Sequence, residues 1–298
     1  MAGRGEPRAN VSGQTYYVKV SGGGAPVLAF STLGCPEWDA ETVVERAAAF
    51  RYDGIEWRGG PDGTVSTAWS AADRRRIRRR MADAGLTSVA VTAYPNLITS
   101  DRPARQRSVR EIRSHVDLAA DLGAGSVRVF VGIRDDAASD EALVGRAVDG
   151  LQEALDHGRE RGVGLAIEPH DDHVRAESIR PILAAIPDPL IGVAWDIANA
   201  WSVGEDPEEG VRGYAGRIRY VQVKDGVGQN ADWRLCGLGD GEVPLERALR
   251  ALVASTADGR IPPISLEWER AWHPDLAPPD VALPAARSWL AACFERLR

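Results

Sequence analysis

From Pro26 to the C-terminus, short apolar runs alternate with longer segments that have helical spacing and helix end signals. Eight short runs have the length of buried strands: Val27 to Ser31, Gly54 to Trp57, Ser88 to Ala93, Ser126 to Gly132, Gly164 to His170, Ile191 to Asp196, Ile218 to Lys224 and Ile264 to Glu269. The helical segments are Asp39 to Phe50, Ser70 to Ala84, Ala104 to Leu122, Ser139 to Arg161, Ala176 to Ile186, Pro207 to Ala215, Pro244 to Ala257 and Pro279 to Leu297.

Strict alternation of strands and helices predicts a parallel sheet, and eight repeats predict that it closes into a single (β/α)8 TIM barrel. A doubly wound open sheet is the competing α/β fold, but no GxGxxG or Walker sequence follows the first strand. We therefore expect residues 25–298 to form one barrel domain that carries the catalytic site.

The side-chain alternation in the strands predicts which residues face the barrel interior. In Ile191 to Asp196, the residues Gly192, Ala194 and Asp196 share the face opposite the large apolar side chains. In Ser88 to Tyr94, the same rule assigns Ser88, Ala90, Thr92 and Tyr94 to the interior, and Val89 and Val91 to the helix layer.

The composition limits the kinds of partner that the chain can bind. A net charge of −7 and a pI near 5.4 argue against a nucleic-acid partner. The Arg-rich run Arg74 to Arg80 is better explained as the solvated face of a helix, with Ile77 and Met81 buried. No apolar run is long enough to span a membrane.

Residues 1–24 are rich in Gly, Ser, Asn and Arg and lack the apolar core of a secretory signal, which predicts a flexible N-terminal segment. Three widely spaced cysteines without a CxxC pair fit a cytoplasmic protein with free thiols. The sequence is compatible with a homo-oligomer.

Four of the predicted strands carry potential metal ligands at their carboxyl ends, where barrel enzymes place their chemistry. These are Glu168, Asp196, Gln222 and Glu267, and all can offer oxygen atoms. An all-oxygen set favours a hard divalent cation, Mn²⁺ or Mg²⁺, over zinc. The alternative is that these acids are solvated strand ends or partners of Arg and Lys in ion pairs.

The segments AIEPH, VAWDIANAW, YVQVKDG and SLEWE, with the linker LGDGEVPLERALRAL and the opening FSTLGCPEW, resemble the sugar phosphate isomerase/epimerase superfamily of xylose-isomerase-like barrels. The resemblance extends from Pro26 to the C-terminus. It implies metal ligands of the order Glu, Asp, His and Glu, which correspond to Glu168, Asp196, position 222 and Glu267. Gln222 departs from the usual His, and Asn199 stands where a His is common in the epimerases.

The resemblance also implies an activity: isomerisation or epimerisation of a keto-sugar or related polyol through an enediolate. A divalent cation would stabilise this intermediate, and Glu168 and Glu267 would be the catalytic acid and base. We predict that the small-molecule carbohydrate substrate is contacted by Glu56, His170, Asn199, Lys224, Trp38 and Trp233. For Lys224 and His170, a purely structural role is an equal alternative. The glycine-rich segment from Gly226 to Gly241, which contains Trp233, has the length of a lid.

Two other functions stay open at this point. A lyase or dehydratase of an oxidised sugar, cyclitol or keto-glycoside would use the same residues. A catalytically silent sugar-binding barrel is made credible by Gln222. The apurinic endonucleases share the barrel class but are associated with a His-rich multi-zinc site. The five histidines of this chain are too few and wrongly placed to form such a site.

Overall fold

A computed structural model describes residues 25–60, 62–214, 216–256 and 260–297. The strands are β1 Leu28–Ser31, β2 Gly54–Arg58, β3 Thr87–Thr92, β4 Ser126–Val129, β5 Gly164–Ile167, β6 Ile191–Asp196, β7 Ile218–Val223, β8 Asp225–Val227, β9 Arg234–Cys236 and β10 Ile264–Leu266. The α-helices are α1 Ala40–Ala49, α2 Ala71–Asp83, α3 Arg102–Leu122, α4 Asp140–Arg161, α5 Ala176–Ala185, α6 Ile197–Ser202, α7 Pro207–Tyr214, α8 Leu245–Ser255 and α9 Pro279–Arg296. The predicted flexible segment, residues 1–24, lies outside the described residues.

Eight parallel strands close into a barrel in the order β1, β10, β7, β6, β5, β4, β3, β2. The closing pair is β1 with β10, where Leu28 is opposite Ile264. The predicted (β/α)8 barrel is therefore confirmed. The barrel matters for function because it brings the carboxyl ends of all eight strands to one mouth.

Helices α2, α3 and α4 begin or end where the sequence signals are. The Ser70 and Ser139 side chains accept backbone N–H bonds at the starts of α2 and α4. Gly123 and Gly162, with φ of 77° and 69°, end α3 and α4 in the left-handed conformation that glycine adopts without strain. In α2, Ile77 and Met81 are buried, as predicted for a helix whose arginines face solvent.

The main hydrophobic core lies between the barrel and the helices. Its largest fully buried side chains include Trp57, Trp195 and Phe30. Each such side chain contributes about 1.5–3 kcal/mol to folding by its burial. A smaller cluster fills the barrel interior and consists of Val27, Ala29, Val89, Ala90, Ala166, Ala194 and Tyr220.

The predicted orientation was wrong at the start of β3. The Ser88 hydroxyl accepts a hydrogen bond from Trp57 Nε1 and donates one to the carbonyl of Leu122 at the end of α3, so it faces the helices. Val89 belongs to the interior cluster instead. The cause is a bulge: the pairing with β2 jumps from Ser88 to Ala90, and one extra residue shifts the alternation.

Two short strands lie outside the barrel. β8 and β9 pair antiparallel and form a hairpin within the segment predicted as a lid. The Asp225 carboxylate accepts backbone N–H bonds from Gly226, Gly239, Gly241 and Val243. This one side chain thus ties both ends of the loop to the end of β7.

Among the described residues, no helix has both the length and the apolar composition needed to cross a membrane. The cysteines Cys35, Cys236 and Cys293 are free.

Candidate metal and active site

Three carboxylates meet at the mouth of the barrel. Glu168 follows β5, Asp196 ends β6 and Glu267 follows β10, and all three are buried. One ligand oxygen from each lies within 4.8 Å of the others. Among the described residues, this is the group of acids, histidines or cysteines that could hold a metal ion, and it contains no histidine. We call it the acid triad.

Backbone geometry explains why these side chains converge. Asp196 pairs directly with Gln222 across β6 and β7, and Ser265 pairs with Gln222 across β7 and β10. Asp196 also caps α6, because its Oδ1 accepts the N–H groups of Ala198 and Asn199 at 2.8 and 2.9 Å. This short helix was not predicted. It fixes the Asp196 carboxylate with Oδ2 left for other partners.

Gln222 is fully buried beside the triad. Its Nε2 donates to Glu267 Oε1 at 2.9 Å and to Glu56 Oε1 at 3.1 Å. Its carbonyl oxygen, Oε1, is buried without a hydrogen-bond partner. The structure thus brings all four predicted ligands together, and the amide supplies an unused oxygen next to the carboxylates.

Lys224 neutralises part of this negative charge. Its Nζ lies 2.9 Å from Asp196 Oδ2, 2.7 Å from Glu267 Oε2 and 2.5 Å from Glu269 Oε1. Burial lowers the pKa of the ammonium, but the three carboxylates raise that pKa well above its usual value, so Lys224 is charged.

Arg128 is a site residue that the sequence analysis missed. It lies on β4, is buried, and its Nε is 2.9 Å from Glu168 Oε2. Its guanidinium packs over the rings of Tyr94 and Phe130, with 4.6 and 4.2 Å to the ring centroids. The signal in the sequence was a single charged residue inside the apolar run SVRVFV.

The triad members differ in proton affinity. Burial raises the pKa of Glu168 well above its usual range, although the Arg128 charge opposes the rise. Burial also raises the pKa of Asp196 to about 7, against the charge of Lys224. For Glu267, burial acts in the same direction, but the charge and hydrogen bond of Lys224 outweigh it and lower the pKa. The site therefore contains two carboxyls that retain a proton more readily than usual, Glu168 and Asp196, and one that gives it up more readily, Glu267.

Glu56 lies deeper in the barrel. It is fully buried, and its carboxylate accepts hydrogen bonds from the Tyr220 hydroxyl at 2.8 Å, the Ser265 hydroxyl at 2.6 Å and the Gln222 amide. Burial, together with the nearby charge of Glu267, raises the pKa of Glu56 to about 7. A contact between Glu56 and substrate stays a prediction.

The other residues predicted to contact the substrate are spread over several elements of the fold. The Asn199 amide is 3.4 Å from Glu168 Oε1, and the half-buried His170 ring packs on Phe130 with 4.5 Å between centroids. Trp233, on the hairpin loop, contacts Trp201 of α6 edge to face at 6.0 Å. Trp38 packs against Phe50 and Arg46 at α1. Asn199 therefore touches the acid triad, whereas Trp38 packs on the helix layer.

The chain is similar in sequence to two known proteins, among others. Fructoselysine 3-epimerase of Shigella flexneri is 21% identical over 238 residues, which cover 76% of this chain and 86% of the epimerase. Probable endonuclease 4 of Mycobacterium marinum is 29% identical over 203 residues, which cover 64% of this chain and 78% of that protein.

Among solved structures, the IOLI protein with a bound zinc atom superposes with a TM-score of 0.76 at 18% identity. The alignment covers 91% of this chain and 99% of the other. The family model of xylose isomerase-like TIM barrels matches residues 44–293. Because this match extends from within α1 to within α9, and so includes most of the barrel, the chain belongs to the xylose isomerase-like TIM barrel family.

Proposed function

We propose that this protein is a divalent-metal-dependent isomerase or epimerase of a keto-sugar or a related polyol, working through an enediolate intermediate. The observation that carries the proposal is the buried acid triad at the mouth of the barrel. The similarity to fructoselysine 3-epimerase supports the sugar chemistry. The proposal includes a single catalytic domain, a cytoplasmic location and no nucleic-acid partner.

The donor set fits a hard cation. Glu168, Asp196 and Glu267 supply carboxylate oxygens, and Gln222 has a buried carbonyl oxygen without a partner. Oxygen-only sets of this kind favour Mg²⁺ and Mn²⁺. When bound, the ion would supply Lewis-acid stabilisation of the negative charge that develops on the substrate. The absence of histidine from the triad also separates this site from the His-rich multi-zinc type.

Glu168 and Glu267 fit the two proton-transfer roles. Lys224 and Gln222 both donate to Glu267 and hold it ionised, which is the form that accepts a proton from a substrate carbon. Glu168 lies beside Arg128 with a raised pKa, so it can hold a proton and return it. If these two residues act on opposite faces of the same carbon, the centre is inverted.

The neighbouring polar groups would orient the substrate. Asn199 presents an amide beside Glu168, and Lys224 presents an ammonium beside Asp196 and Glu267. The paired rings of Trp201 and Trp233 at the mouth offer apolar surface that suits the C–H face of a sugar ring. Together these groups predict a polar substrate with one apolar face.

The test is turnover in deuterated water with Mn²⁺ added, over a panel of free keto-sugars, inososes and keto-glycosides. We expect solvent deuterium to enter the substrate carbon without loss of a group. Glu168→Gln and Glu267→Gln should each abolish turnover and retain the fold. Glu205→Gln is the matched control, because Glu205 is also a buried carboxylate but caps α5.

Three results would contradict the proposal. Wild-type turnover in Glu168→Gln or Glu267→Gln would remove both residues from the mechanism. A new unsaturated product would identify a lyase or dehydratase instead. A site that stays empty in millimolar Mn²⁺ would favour a silent sugar-binding barrel.

A further inference from the structure

The amide of Gln222 is held in one orientation by two carboxylates. An amide nitrogen carries two hydrogen atoms, and both are used: one toward Glu56 Oε1 at 3.1 Å and one toward Glu267 Oε1 at 2.9 Å. If the amide were turned round, its carbonyl oxygen would face these two carboxylate oxygens and repel them. The orientation is therefore fixed by Glu56 and Glu267 together.

This orientation leaves the carbonyl oxygen of Gln222 in need of a partner. Oε1 is buried and accepts no hydrogen bond. An unpaired buried acceptor is unfavourable unless a ligand satisfies it. Because the nitrogen of the same amide donates to Glu267, the amide lies beside the acid triad. A cation bound there would satisfy the oxygen.

Three side chains hold Glu56 in place in this arrangement. It is fully buried, and the hydroxyls of Tyr220 and Ser265 hold its carboxylate in place from the barrel interior. Its connection to the triad runs through Gln222, which lies 166 residues further along the chain. Among the contacts of Glu56, the bond to Gln222 is the one that reaches a predicted metal ligand.

We propose that Glu56 is a positioning residue that turns the carbonyl oxygen of Gln222 toward the acid triad and so makes it the fourth oxygen ligand of a divalent cation. The inference rests on the proposed function, because it requires that the triad bind such an ion. It assigns a task to a buried acid that proton transfer does not use. Partners of metal ligands that fix ligand orientation commonly change metal affinity about tenfold to 100-fold.

A double-mutant cycle tests this role, with calorimetric titration of Mn²⁺ alone into the full chain at one fixed pH. The variants are Glu56→Met, Gln222→Met and the double variant. We expect Glu56→Met to weaken Mn²⁺ binding about tenfold or more in the wild-type background. In the Gln222→Met background it should change binding by no more than about twofold, as for independent sites.

Tyr220→Phe is the matched control. It removes a donor to the same Glu56 oxygen and leaves both bonds of the Gln222 amide in place, so Mn²⁺ affinity should change by less than about twofold. If Glu56→Met does not fold, as judged by circular dichroism, Glu56→Gln takes its place in the cycle. An equal loss in both backgrounds would show that Glu56 acts only as a charge, and it would overturn the inference alone. If the wild-type chain binds no Mn²⁺, the proposed function and the inference both fail.

Discussion

Basic side chains occupy two contrasting settings in this molecule. On the outer face of α2, Arg76 and Arg80 pair with Glu41, and the arginine side chains remain 53% and 41% exposed. At the barrel mouth, Arg128 and Lys224 pair with the acid triad, and each side chain is only 4% exposed. The same kind of ion pair is thus exposed to water on α2 and shielded from water at the barrel mouth.

The difference determines what each pair can do. Exposed pairs are screened by water and salt, and they contribute about 0–1 kcal/mol. Buried pairs hold their members in fixed geometry, and loss of one partner leaves an uncompensated charge. The α2 arginines therefore serve mainly as a solvated helix face, whereas Arg128 and Lys224 set the position and charge of the acids.

The largest effect should come from Lys224→Met. Without the ammonium, Asp196 and Glu267 are buried without their cation, and we expect the free energy of unfolding to fall by about 3–5 kcal/mol in a urea titration. Mn²⁺ should restore part of this loss, because an ion that binds only the folded state stabilises it. A loss below about 1 kcal/mol would place this pair with the surface pairs and remove the contrast.

Asp225 sharpens the comparison, because among the described residues its buried carboxyl group has no ion pair with Lys or Arg. Its carboxylate accepts four backbone N–H groups from the hairpin segment. Asp225→Asn replaces one acceptor oxygen by a donor, and we expect a loss of about 1.5–3 kcal/mol in the free energy of unfolding. Tryptophan fluorescence should also change, since Trp233 lies on this loop. Asp240→Asn, at an exposed position of the same loop, is the control and should change neither quantity.

The barrel could be predicted because its signal is repeated. Eight alternating units and the end signals at residues such as Ser70, Ser139 and Gly162 agree with one another, so an error at one unit does not change the fold. The bulge at Val89 could not be predicted from the alternation of side chains. Alternation is counted residue by residue, and one extra residue in β3 reverses the count without leaving a mark in the composition.

The site was predictable to the extent that it follows strand ends. Glu168, Asp196, Gln222 and Glu267 come together because parallel strands end at the same edge. Arg128 was missed because a charged residue within a strand gives no indication of which acid on a neighbouring strand lies beside it. Partner choice depends on side chains far apart in sequence.

The buried His115 gives a smaller, pH-dependent effect, because burial outweighs the opposing influence of Glu111 on its pKa. Burial lowers the pKa of His115 from 6.5, so the folded chain holds it neutral while the unfolded chain takes up a proton at higher pH. Stability is therefore full above about pH 6.5 and is lost as pH falls toward the folded-state pKa. Relative to His115→Phe, the wild-type free energy of unfolding should fall by at most about 1.4 kcal/mol per pH unit. A wild-type advantage that grows in acid would contradict the assignment.

The smallest effect should come from Arg80→Ala, which tests the exposed side of the comparison. Arg80 contacts Glu45 at 3.3 Å and Glu41 at 2.8 Å, and the second distance is within the range of the Lys224 contacts. We expect a change of no more than about 0.5 kcal/mol in the free energy of unfolding, because water screens both contacts and alanine has the higher helix propensity. Added salt should reduce even this change, whereas the Lys224→Met effect should persist, since buried charges are screened much less. A loss of several kcal/mol for Arg80→Ala would mean that distance, and not burial, sets the strength of ion pairs in this protein.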